Sequence, residues 1–120
     1  EESSAAVRER VERARQRQRE RFTGMAGLHA NAHMTAREIR RFCRLTEAVE
    51  LLLRQAVARL GLSARAYHRV LKIARTIADL DAAADIGVAH VGEAIQYRTL
   101  DRRRAPDLGP TPDAATSIPR

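Results

Sequence analysis

Aromatic side chains make up only 3% of this sequence and tryptophan is absent. That scarcity argues against a pleated, half-buried sheet and against a surface that reads single strands by stacking bases on rings. A single cysteine, Cys43, rules out an internal disulfide and a paired-cysteine metal site. No long apolar run occurs, so there is neither a secretory core segment nor a membrane span, and a bacterial-type cytoplasm is the expected setting, with no membrane partner. Proline is missing from the first hundred residues, all four prolines falling after Arg102. Acidic residues are outnumbered, 15 against 22 Lys and Arg, leaving a net charge of +7. Such a surplus suits a polyanion such as nucleic acid, or equally a solvated arginine-rich surface.

What is abundant is Ala, Arg, Leu and Glu, the composition of helices, and the chain reads as all-α: a small bundle of four to five helices. At 120 residues it holds one domain at most. The chain opens on Glu1 rather than Met, inside a charged run, and is expected to be a piece of a longer protein.

Residues 5–21 are strong helix formers with seven arginines spread around the circumference and only Val7, Val11 and Ala14 as an apolar stripe, a helix that needs a partner. Residues 23–34 carry two glycines and no charge, so the chain turns there. Thr35 and Glu38 have the spacing of a capping box opening a short helix, with Ile39, Phe42 and Cys43 on one side and Arg37, Arg40, Arg41 and Arg44 on the other. Thr46 caps a third helix carrying Val49, Leu52, Leu53, Ala56 and Leu60 as its core face, and Gly61 supplies a left-handed stop. Ser63 caps a fourth, the most regular, with Ala66, Val70, Ile73, Ile77 and Leu80 as its stripe. After a small-residue turn at 81–87, a last helix over about 88–100 buries Val91, Ala94, Ile95 and part of Tyr97. Three regions result: an arginine-rich helix and loop over 1–34, a helical domain over 35–101, and a proline-containing tail over 102–120, expected to be disordered.

Few constellations of an enzyme are present. There is no GxxxxGKS or GxxxxGKT phosphate loop, no GxSxG elbow and no HExxH. His29 and His33 are four apart but lack a carboxylate or cysteine to complete a ligand set, so no metal site is expected. His68 and His90 read as surface or interface histidines, and Cys43 as a small buried hydrophobe. What remains is Arg65, in the first turn of the Ser63 helix, where terminal amides favour an anion and a planar guanidinium can grip phosphate oxygens twice, although on the residues alone an arginine there also reads as a solvated charge. Arg69 and Lys72 lie at i+4 and i+7 from it; they extend a positive strip for phosphate or DNA, or simply keep that face wet.

The run LGLSARAYHRVLKIARTIADLD at 60–81, with AHVGEAIQYRTLDR at 89–102, resembles the C-terminal signature of the YifB/ComM family of magnesium-chelatase-like AAA+ proteins. SSAAVRERVERARQRQRERF at 3–22 and NAHMTAREIRRFC at 31–43 extend the likeness to nearly everything but the tail. The resemblance implies a helical lid, part of an ATP- and Mg2+-dependent ring, a hexamer, whose P-loop core lies outside this chain. It also implies partner surfaces on that core and on neighbouring subunits, and a role in DNA branch migration during DNA uptake. The fragment by itself is then no enzyme and holds no cofactor. In that clade the third lid helix opens with a small residue and a sensor 2 arginine; Ser63-Ala64-Arg65 matches, which makes Arg65 the candidate for γ-phosphate contact. Two other readings of the residues stay open: a free-standing basic helical DNA-binding module, and a structural oligomerisation element with residues 5–21 as its seam.

Overall fold

A computed structural model describes residues 2–104, with side chains through residue 98. Five helices follow one another: α1 Ser4–Arg21, α2 Ala36–Phe42, α3 Glu47–Leu60, α4 Ala64–Leu80 and α5 Val88–Arg104, with a 3-10 turn at Asn31–His33 and no strand among the described residues. The all-helical reading therefore holds. The last helix runs to Arg104, past the end expected near residue 100, and the rest of the proline-containing tail lies outside the described residues.

Local chemistry sets the boundaries. Ser3, Thr46 and Ser63 sit in extended backbone and accept a hydrogen bond from the amide three residues on, which satisfies one of the orphan N–H groups of each helix start. At the start of α2 the Glu38 carboxylate reaches back to accept from the Thr35 N–H (2.7 Å) and hydroxyl (2.6 Å), holding its own pKa below the usual carboxylate range. Gly61 ends α3 at φ 65°, as its position predicts. α4 stops in a Schellman turn: the Ala83 N–H bonds to the Ala78 carbonyl (2.8 Å) and the Ala82 N–H to that of Asp79 (3.1 Å), with Ala82 at φ 58°.

α4 is the axis of the bundle, packed against α1, α2, α5 and the 3-10 turn, while α3 leans on α5. The main core gathers Phe22, Met34, Ile39, Cys43, Val49, Leu53, Val70, Leu71, Ile86 and Val91 around the small side chains Ala74, Ala78 and Ala94. Phe22 and Met34 thus share a core with the helices that follow residue 35. Val70, Ala74 and Ala78 have no exposure at all.

Two expectations are corrected. The α4 stripe of Ile73, Ile77 and Leu80 is only half-buried; the deep side is the arc through Val70, Leu71, Ala74, Arg75, Ala78 and Asp79. With Ala66 included, that arc spans about 220° at 100° per residue. A helix surrounded by neighbours buries far more than one face. Leu60, expected inside, is 42% exposed, whereas Tyr97 is 58% exposed and so buried only in part, as expected.

Candidate functional site

Arg65 is the second residue of α4 and exposed, and among the described residues no hydrogen bond or ion pair holds it. Its neighbours fix its direction. Leu62 and Ala66 are buried against Ala56, with Val57 and Ile95 alongside, so the first turn of α4 is pinned inward on that side and presents Arg65 outward. Arg69 follows one turn later, also exposed, and is engaged within the chain. Lys72 is half-buried and turned elsewhere: its ammonium donates to the carbonyls of Ala32 (3.2 Å) and Met34 (3.5 Å), where it ties down the end of the 3-10 turn.

The other end of α4 holds a cluster with little forewarning in the sequence. Asp79 is completely buried. Its two carboxylate oxygens accept from both terminal nitrogens of Arg21 (2.8 Å each), from Asn31 Nδ2 (2.9 Å) and from Arg75 (3.2 Å). The Arg21 fork is bidentate, the strongest form such a pair takes. Asn31 also accepts from Arg21 (2.9 Å), donates to the Thr76 hydroxyl (3.0 Å), and gives its backbone N–H to Gln18 Oε1 (2.8 Å). Arg75 donates onward to the carbonyls of Ala83 and Ala84. Burial pushes its guanidinium down from the ordinary value, with Asp79 countering. One hub therefore joins α1, the 3-10 turn, α4 and the turn that leads to α5. The only local signal for it is an Arg–Asp pair four residues apart inside the most strongly amphipathic of the described helices; Arg21 lies 58 residues from Asp79 and leaves no local trace.

The remaining candidates have structural duties. His33 Nδ1 accepts the backbone N–H groups of His29 (3.1 Å) and Ala30 (3.2 Å), and the two imidazoles meet edge to face rather than converging on a point. His90 caps α5 by accepting the Gly87 N–H (2.9 Å) while its other nitrogen sits 3.0 Å from Asp81. Burial raises the Cys43 thiol to about 11, which leaves almost no thiolate near neutral pH. Among the described residues no three His, Cys, Asp or Glu side chains come together as a cation cage, and no helix is long and apolar enough to cross a membrane. For a magnesium nucleotide the described residues thus offer no cluster of metal ligands, only guanidinium groups suited to phosphate.

Over residues 1–98 the sequence matches the family described as magnesium chelatase, subunit ChlI C-terminal. It is 46% identical over 101 residues to the competence protein ComM of Haemophilus influenzae, covering 84% of this chain and 19% of that protein. It is 45% identical over 101 residues to the uncharacterized protein YifB of Escherichia coli, with the same shares. An uncharacterized protein of Mycobacterium bovis is 35% identical over 103 residues, 86% of this chain and 20% of its own length. The chain spans about a fifth of the relatives it matches. With five helices, an exposed arginine opening the fourth, and this match along nearly the whole described length, the chain belongs to the magnesium chelatase ChlI C-terminal family, as a C-terminal domain of the YifB/ComM type.

Proposed function

We propose that this domain is the lid of a magnesium-chelatase-like AAA+ ATPase and that Arg65 is its sensor 2 residue. The carrying observation is an unengaged guanidinium on the first turn of a helix whose other end is locked into a buried hub. Arg65 and Asp79 are separated by about 21 Å of α4 at 1.5 Å per residue. A pull on the first is transmitted to α1 and the turn before α5 through the second, without bending the helix.

In this reading the parent protein binds ATP with Mg2+ on a P-loop core, and the nucleotide supplies the phosphoryl group whose hydrolysis drives motion. Arg65 donates two parallel hydrogen bonds to terminal phosphate oxygens and neutralises charge that builds during transfer. Arg69 adds to the same positive edge, and Lys72 joins it only by releasing the carbonyls of Ala32 and Met34. The lid then rotates as a rigid body against the core of its own or a neighbouring subunit in a hexameric, cytoplasmic ring. The 46% identity to a protein named for competence supports a DNA-processing motor, with branch migration as its task.

Arg65→Ala in the full-length ATPase tests the assignment. We expect steady-state hydrolysis and DNA-coupled activity to fall about 10²-fold or more, the scale for loss of one charge-stabilising donor, with the lid still folded by circular dichroism. Unchanged hydrolysis and unchanged motor activity would overturn it.

A further inference from the structure

Sensing nucleotide through Arg65 makes no use of α2. This helix of seven residues turns Ile39 (4% exposed) and its C-cap Cys43 (5%) into the core, and sets Phe42 edge-on against Phe22, with ring centroids 5.5 Å apart. The opposite side carries Arg37, Arg40 and Arg41 at i, i+3 and i+4, with Arg44 just beyond the C-cap, all four exposed. Among the described residues none of the four has a hydrogen bond or ion pair; Arg41 packs its guanidinium 4.8 Å over the Phe42 ring. The one acidic residue of α2, Glu38, is held by Thr35.

Helix stability does not account for this stripe. Arg40 and Arg41 lie in the last turn, where cations complement the helix dipole, but Arg37 lies in the first turn, where a cation opposes it. Four like charges on one side also repel. A protein partner is a poor match, because the exposed side lacks the apolar centre on which protein interfaces depend. A repeating polyanion matches it well. Arg37 and Arg41 are about 6 Å apart along the axis, Arg44 extends the row, and duplex DNA places a phosphate about every 3.4 Å of axis on each strand.

We propose that α2 lays this arginine stripe along the phosphate backbone of duplex DNA, contacting two to three successive phosphates without reading bases. The choice of DNA rests on the proposed function of the parent motor, but the surface is independent of Arg65.

The test is fluorescence anisotropy of the whole chain with a labelled duplex, titrated between about 50 and 200 mM salt. Replacing Arg37, Arg40 and Arg41 together by Gln is expected to weaken binding and to lower the slope of log K against log salt by about 2–3, at about 0.9 for each phosphate no longer neutralised. Replacing Arg8, Arg13 and Arg15 of α1 by Gln removes the same charge and should lower it by less than about 1. Lysines at the three α2 positions should keep most of the slope, since a point charge also holds a phosphate. The readout here is duplex binding by the domain and not ATP hydrolysis by the parent, so failure of the sensor assignment cannot be mistaken for failure of this one. Equal losses in the α1 and α2 triples would overturn the proposal, as would absence of wild-type binding. Binding of polyglutamate through the α2 stripe with no binding of duplex would overturn it in favour of an acidic polypeptide.

Discussion

Asp79 draws side chains of α1, the 3-10 turn and α4 onto one unexposed carboxylate. An unexposed carboxylate with four donors is stable only while all are present, and removing it leaves Arg21 and Arg75 with uncompensated charge in a poorly solvated place. Asp79→Ala is expected to cost about 3–5 kcal/mol, read as a drop in the urea midpoint at unchanged slope. A loss below about 1 kcal/mol, the level of an exposed pair, would mean that the hub is hydrated and contributes little. Residues with local duties are legible in the sequence: Thr46, Ser63 and Gly61 announce caps because a cap is settled within four residues. Asp79 is not, since a charged residue inside a helical pattern reads as solvent-facing until its partner is known, and the partner comes from another helix. Lys72 departs from expectation for a related reason. An exposed-side lysine at i+7 from Arg65 looks like part of a strip, yet long side chains fold onto the nearest free carbonyls.

Among the elements, α4 shows how far periodicity reaches. Its existence, start and end are plain from the residues, but its inward direction is not, because a stripe of Ile and Leu marks one face whereas a central helix also buries alanines and paired charges on the others. Its end contains a local cost. Ala82 holds the left-handed position of the Schellman turn, where an L side chain is disfavoured by roughly 1–2 kcal/mol. Glycine loses more entropy on folding, so Ala82→Gly is expected to gain a net of about 0.5–1 kcal/mol. For a domain of this size that raises the thermal midpoint by about 2–8 °C. A lowered midpoint would show that the Ala82 methyl makes contacts outweighing its backbone strain.

For the molecule as a whole, the core does not respect the break in composition near residue 34. Phe22 and Met34 are both 3% exposed, and Arg21 and Asn31 complete the hub, so the arginine-rich first segment packs into the same core as the helices that follow. Deleting residues 1–34 removes two large core side chains, each worth about 2–5 kcal/mol, from a total that is ordinarily about 5–15. The shortened chain is expected to lose its single sharp unfolding transition, measured by circular dichroism against urea. A transition of undiminished slope and midpoint would show that residues 35–104 suffice. This unity is hard to see in the sequence because α1, taken alone, is polar nearly all round; what binds it is the small Ala14, the Phe22 ring at its end, and the polar contacts of Gln18 and Arg21.

The distance along the chain between Arg21 and Asp79 also sets a timetable. The two are 58 residues apart. At ribosomal rates of about 5–20 residues per second, α1 has existed for about 3–12 s before its counter-ion has even been synthesised. During that interval the segment has only its own Glu–Arg pairs to close upon, so the last-made half of the domain decides when the first-made helix finds its place.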